Sequence, residues 1–177
     1  ILTDFQNNLD ELSKCNDSFS AQKESNISYK IAKEIYNKNP LIYAEDGIFG
    51  IIGYRFKSQL VENSKILAFN NVIPEMNHNE IVGWENINND IKDYFLPIFI
   101  KSNLDLKKNQ LRTDLTLNYL KQKKIKTKMI NPQKGDLYTQ YLFLINLFDF
   151  TSFFLAKKNN VNPYDIDSIL MLKSKLK

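Results

Sequence analysis

The amino-acid sequence predicts an α/β protein: a three-layer αβα sandwich with a mainly parallel sheet of four to five strands and a helical C-terminus. Three observations predict it. Short apolar runs, Leu41–Ala44, Lys65–Asn70, Tyr94–Ile100 and Ile125–Ile130, alternate with segments of helical periodicity, the pattern of strands covered on both faces. The breaks between them carry turn chemistry: Asn39-Pro40, Glu45-Asp46-Gly47, Asn131-Pro132 and Asn162-Pro163. The chain has 177 residues, 43% of them hydrophobic and 25% charged, which suits one globular domain with a sizeable core and excludes wholesale disorder.

Taken in order, Leu2, Phe5, Leu9 and Leu12 fall at helical spacing and predict a short amphipathic helix over 2–15. The polar stretch Asn16–Ser28 reads as a loop. Ser28 is a candidate cap for a helix that turns Ile31, Ile35 and Tyr36 inward and stops before Asn39-Pro40. After the first strand, Ile48–Glu62 reads as a helix. Its Gly47, Gly50 and Gly53 raise a phosphate-loop reading, but neither the dinucleotide fingerprint nor a P-loop lysine is present. Gly50 and Gly53 are better explained as small residues that let the helix approach a sheet. Pro97 marks the third strand as an edge strand or a bulge. A long helix over Leu106–Lys124 gathers Leu111, Leu115, Leu117 and Leu120 toward one side. The fourth strand, a mostly buried helix over Asp136–Lys158 and a last helix with Ile166, Ile169, Leu170 and Leu172 complete the chain.

Several function classes are excluded at this level. The net charge is +4, but the lysines are scattered, so an anionic small molecule such as a phosphate ester fits better than nucleic acid. Cys15 is alone, which rules out an internal disulfide and suits a reducing cytosol. One histidine and no Cys/His cluster argue against a metal site, so no metal and no cofactor are expected. The richest apolar run, Tyr138–Leu155, is interrupted by Asn146, Asp149, Thr151 and Ser152, so no membrane span is expected. The first residue is Ile1 with no basic leader segment, which points to a fragment rather than a secretory signal.

The chemistry concentrates around Ile73-Pro74-Glu75-Met76-Asn77-His78-Asn79-Glu80-Ile81-Val82-Gly83-Trp84-Glu85, which holds the single His and the single Trp. It follows the second strand, and parallel sheets bind ligands beyond the carboxyl ends of their strands. Sixteen residues upstream of His78 stands Glu62, near the end of a helix. A carboxylate and an imidazole brought together are the minimum equipment for moving protons between carbon and oxygen. Each alone has a plainer explanation: Glu62, Glu80 and Glu85 as solvated surface groups, His78 as a structural or exposed residue. Asn77 and Asn79, which flank His78 and can fix its tautomer, weigh toward function.

Two runs carry a resemblance to a known family. Arg55-x-Lys57-x-Gln59-x-x-Glu62-Asn63-Ser64-Lys65 and Pro74-Glu75-Met76-Asn77-His78-Asn79-Glu80 resemble the bifunctional phosphoglucose/phosphomannose isomerases of the sugar isomerase (SIS) superfamily. Phe154-Leu155-Ala156 and Val161-Asn162-Pro163 are similar to the closing pattern of that family, with Asn162 in place of Asp and Asn160 in place of a Gly. The likeness runs from Pro40 onward and corresponds to the C-terminal half of a protein with two SIS domains. It implies a flavodoxin-like SIS domain over 1–177, with the N-terminal half, whose Ser/Thr-rich loop holds the sugar phosphate, absent.

The resemblance also implies a chemistry. Glu62 matches the base that shuttles a proton between C1 and C2 of glucose 6-phosphate and fructose 6-phosphate through a cis-enediol. His78 matches the ring-opening histidine, supplied by the neighbouring subunit of a homodimer with a shared active site. A lysine near the end assists, Lys157 or Lys158, with Lys157 preferred on spacing. Arg55, Asn77 and Asn79 are expected to contact the sugar-phosphate substrate, with mannose 6-phosphate as a further substrate. The partners implied are the N-terminal SIS domain and a second copy, without nucleic acid or membrane. The rival is a non-catalytic SIS module that binds a phosphosugar or supports a dimer, and the retained Glu62 and His78 argue against it. A deglycase or amino-sugar isomerase of the same superfamily fits the Asn77-His78-Asn79-Glu80 run less well.

Overall fold

The computed structural model describes Asp10 and residues 13–176. Residues 13–20 are helical. There follow α1 (Ile27–Ile35), β1 (Asn39–Glu45), α2 (Ile48–Ser64), β2 (Phe69–Ile73) and a 3-10 turn (Glu75–Asn77). The short helices α3 (Glu80–Gly83) and α4 (Asn89–Lys92) lead to β3 (Phe95–Ile100), α5 (Lys107–Gln122), β4 (Lys128–Ile130), α6 (Leu137–Lys158) and α7 (Asp167–Lys175). The four strands form one sheet in the order β2-β1-β3-β4, every neighbouring pair parallel. In register, Leu41 lies beside Phe69 on one flank and Pro97 on the other. Strand order reverses between β1 and β3, which makes the gap between their carboxyl ends the switch point of the sheet.

Alternation along the strands divides two apolar cores between the faces. Ile42, Ala44, Leu96, Ile98 and Ile130 turn to one face, where they meet Ile31 and Ile35 of α1, Phe56 and Leu60 of α2, and Leu144 and Phe148 of α6. The rings of Phe56 and Phe148 stack with centroids 3.9 Å apart, joining α2 to α6. Tyr43, Ile73 and Phe99 turn to the other face, where they meet Met76, Trp84 and Leu120. Each fully buried Ile, Leu or Phe contributes roughly 1.5–3 kcal/mol, so the layers on both faces stabilise the sheet between them. The second face is covered by α5 and by the 74–94 segment, which turns back across the sheet instead of forming one long crossover helix.

The glycines of α2 serve packing. A Cβ on Gly50 would lie 3.0 Å from the Glu45 carbonyl oxygen and 3.0 Å from Val72 Cγ1; one on Gly53 would lie 3.2 Å from Ile42 Cγ2. Both positions bring the helix onto β1 and β2, as their spacing suggested.

Several local expectations shift. The second strand lies at Phe69–Ile73, later than Lys65–Asn70, because Lys65 ends α2 in the left-handed conformation and 66–68 run as a connection. Pro97 sits in a central strand. It is tolerated because β4 first pairs at Ile98 with Lys128, which leaves Pro97 only β1 beside it. The inward face of α5 is Asn109, Thr113, Thr116 and Leu120, while Leu111 and Leu115 point out, more than half exposed. Thr113 and Thr116 bond back to the carbonyls of Asn109 and Arg112, which removes the cost of turning hydroxyls inward. The cap of α1 is Asn26, which accepts from the Ser28 N–H at 2.8 Å. Part of the expected 16–28 loop is helical and buries Phe19. The amphipathic pattern Leu2, Phe5, Leu9 and Leu12 lies outside the described residues.

Candidate functional site

The last turn of α2 carries Glu62-Asn63-Ser64-Lys65, and the fold gives each member a different task. The Asn63 amide donates to Ser152 Oγ at 3.0 Å, and the Ser64 hydroxyl donates to the Ser152 carbonyl at 2.8 Å, both fixing α2 to α6. Lys65, with φ 57° and ψ 39°, ends the helix. Its ammonium donates to the Glu62 carbonyl at 2.6 Å and to the Asp165 carbonyl at 2.5 Å. Glu62 is left exposed, with no side-chain hydrogen bond to its carboxylate among the described residues. It lines a cleft of about 420 Å³ between Lys57, Ser58 and Val61 of α2 and the segment from Asp165 to Ile169. An unoccupied carboxylate beside two lysines in a cleft can accept and return a proton.

His78 stands on a different layer. Asn77 donates from its amide to Thr116 Oγ1 of α5 at 2.8 Å, and its buried amide oxygen has no partner among the described residues. Asn79 caps α3 by accepting from the Glu80 N–H at 2.5 Å and donates to Glu75 Oε1 at 2.6 Å. Glu80 accepts from the Tyr43 hydroxyl at 2.5 Å and from the Asn71 amide at 2.7 Å. Burial, and then the bond to Glu80, hold the Tyr43 phenol above its usual range, so it stays a neutral donor. Asn77, Asn79 and Glu80 therefore hold the turn from both sides, and the exposed His78 is the member left pointing outward. Its backbone N–H bonds the Glu75 carbonyl at 2.9 Å, and its ring has no hydrogen-bond partner among the described residues.

The sheet separates Glu62 from His78. The α2 helix packs on the face of Ile42 and Ala44, whereas the His78 turn packs on the face of Tyr43 and Ile73, through Met76. The 73–85 stretch begins at the carboxyl end of β2, as expected, but folds back over the face instead of entering the crevice. Within one chain the two groups do not share a site.

The other sequence candidates are engaged elsewhere. Arg55 donates to Asp149 Oδ1 at 2.6 Å and to Gln59 Oε1 at 2.8 Å, an ion pair that clamps α2 to α6. Lys157 donates to Gln22 Oε1 at 2.9 Å, and Lys158 lies over the Tyr36 ring, 4.2 Å from its centroid. Neither lines the Glu62 cleft; Lys57 and Lys65 do. Lys65 had a signal in the sequence, since it closes the Glu62 run. The arrival of Asp165 beside it, 100 residues later, had none.

The switch-point crevice is filled by the protein itself. Glu45 Oε1, at the end of β1, accepts from the Leu106 N–H at 2.8 Å and from the Asn109 amide at 2.7 Å. It thus occupies the start of α5, the position where such folds hold an anionic ligand. The buried Asp105 accepts from the Ser102 N–H at 2.9 Å, and its other oxygen has no partner among the described residues. Burial pushes its carboxyl up to about 6, against the Ser102 N–H, with the charge of Glu45 adding to the rise. Two carboxyl groups at this point oppose a phosphate. Among the described residues, no group of three or more His, Cys, Asp or Glu is placed to hold a metal ion, and no helix is long and apolar enough to cross a membrane.

Comparison with known proteins identifies the family. The family described as "Bacterial phospho-glucose isomerase C-terminal SIS domain" matches residues 24–176. A bifunctional phosphoglucose/phosphomannose isomerase of Caldicellulosiruptor bescii is 33% identical over 154 residues, covering 87% of this chain and 45% of that protein. One of the same name from Aquifex aeolicus is 29% identical over 170 residues, covering 95% and 52%. The chain therefore spans about half the length of the curated relatives it matches. A hypothetical protein of Thermus thermophilus shares the fold, with a TM-score of 0.80 at 11% identity over 96% of this chain and 48% of that one. Over most of its length, then, this chain belongs to the family of bacterial phosphoglucose isomerase C-terminal SIS domains.

Proposed function

We propose that this chain is the C-terminal half of a cytosolic aldose–ketose isomerase acting on glucose 6-phosphate and fructose 6-phosphate, and on mannose 6-phosphate. Glu62 takes the proton from C2 of the opened aldose and returns it to C1 through a cis-enediol, and His78 assists ring opening in the site of a second subunit. The observation that carries this reading is the Glu62 carboxylate, left unbonded in a cleft while its neighbours Asn63, Ser64 and Lys65 hold the helix end around it. The placement of His78 on the opposite face supports use of the two groups in trans, across a homodimer. The filling of the switch-point crevice by Glu45 supports a division of labour in which an N-terminal SIS half holds the phosphate. Arg55, Asn77 and Asn79 act on this reading through the scaffold that presents Glu62 and His78, and Lys157 reaches substrate only after leaving Gln22.

The test is Glu62→Gln in the full-length protein. It keeps size and polarity and removes the base, so turnover should fall by roughly 10²–10⁴-fold with KM little changed. Exchange of the substrate C2 hydrogen with solvent deuterium should fall in step. Exchange near the wild-type rate in this variant would assign the base to another carboxylate. A non-catalytic phosphosugar-binding or dimerising module, the alternative, predicts no exchange in either protein.

A further inference from the structure

We infer that Lys65 is a positioning residue that latches the C-terminal segment of the chain across the Glu62 cleft, making residues 165–169 its second wall. No residue of α7 is fully buried, and Ile169 within it and Ile166 just before it are only partly covered, so apolar packing within this chain holds it weakly. Leu170, Met171 and Leu172 are each more than half exposed. What ties this segment to the domain beside Glu62 is polar. Lys65 bridges the carbonyls of Glu62 and Asp165 with one ammonium, at 2.6 and 2.5 Å. Asn162 braces the same turn by donating to Asp165 Oδ1 at 2.7 Å and accepting from the Tyr164 N–H at 3.1 Å.

The bridge is placed to act on the cleft. Lys65 extends back along the last turn of α2 because its left-handed backbone turns the chain at that point. Its ammonium therefore satisfies a C-terminal carbonyl of the helix that carries the candidate base, and the carbonyl that starts the facing wall. Losing the bond leaves both carbonyls to water and frees the wall, since little apolar burial opposes its release. Access to Glu62 is then set by Lys65, without Lys65 touching the reacting atoms.

For turnover the inference rests on the isomerase reading; for the latch itself it does not. Lys65→Met in the full-length protein, which keeps the aliphatic stem and removes the donor, should raise amide deuterium exchange over residues 166–175 by about tenfold or more, with exchange in β1 and β3 unchanged. KM for fructose 6-phosphate should rise several-fold with kcat changed less, and Lys65→Arg should recover both. A chain ending at Tyr164 should repeat the KM effect without disturbing the core, because α7 contributes nothing buried to it. Wild-type exchange over 166–175 in Lys65→Met overturns the latch. Faster exchange with unchanged KM in both variants overturns its part in the site. A wild-type protein without isomerase turnover overturns the isomerase reading instead, and the exchange measurement still decides the latch.

Discussion

Opposite faces of a sheet cannot be brought together by side-chain motion, and this makes subunit complementation a sharp test of the proposed site. Glu62 stands at the end of α2, the helix packed on the face of Ile42 and Ala44; His78 projects from a turn tied to Tyr43 and Thr116 on the other side. If both act in one reaction, each site takes Glu62 from one subunit and His78 from the other. Two inactive full-length variants, Glu62→Gln and His78→Ala, then behave predictably when mixed. Random exchange makes about half of the dimers hybrids, and each hybrid has one site with both lesions and one with neither, so activity should return to about a quarter of wild type. The assay is coupled turnover of fructose 6-phosphate before and after subunit exchange, with the hybrid fraction verified on differently tagged chains. Recovery should follow the kinetics of exchange and disappear when dimers are cross-linked before mixing. Verified hybrids without recovered activity would refute the shared site. Because the sheet separates the two groups within a chain, that result would remove one of them from the mechanism.

Two further predictions follow from the charge and the length of the chain. Asp105 is raised from 3.8 to about 6 in the fold, so the folded state keeps a proton that the unfolded state loses between those values. Its contribution to stability is therefore greatest below about pH 4, falls as pH rises to about 6 and is level above. A shift of this size corresponds to about 3 kcal/mol at most, cut by solvent screening to about 1–2 kcal/mol. Asp105→Asn should flatten that part of a urea-unfolding stability curve and should not weaken the protein at pH 7; an unchanged slope between pH 4 and 6 would count against the buried acid. On the proposed division of labour, the chain by itself, whose switch point Glu45 already fills, should show no appreciable isomerase turnover, because the phosphate grip is assigned to an N-terminal half. Normal turnover by the separate chain in a coupled assay would contradict this, and adding an N-terminal half should restore activity.

Much of the architecture was legible because strands and helices write their periods into local sequence. α2 appeared within two residues of its bounds, the centre of β1 was legible although the strand also takes in Asn39, Pro40 and Glu45, and the spacing of Gly50 and Gly53 foretold a helix pressed against a sheet. The sequence was less informative where a tertiary neighbour decides. Pro97 looks like an edge marker, and only the late start of β4 explains how a central strand keeps it. On α5, leucines signal a buried face and Leu120 does turn inward, yet the rest of that face is Asn109, Thr113 and Thr116, which bond to Glu45 and to the Asn109 and Arg112 carbonyls. A hydroxyl that bonds within its own helix is inexpensive to bury, and no hydropathy pattern records that.

The candidate site divides along the same line. The sequence by itself determined the fold class, the family likeness and the candidacy of Glu62 and His78, because these reside in contiguous runs whose chemistry and spacing are local. Only the tertiary structure decided that the two lie on opposite faces, that Glu45 fills the switch point, and that Asp165 returns to Lys65 to wall the Glu62 cleft. Those facts depend on how layers stack and which distant backbone groups need a hydrogen-bond partner, quantities that arise when the chain closes on itself.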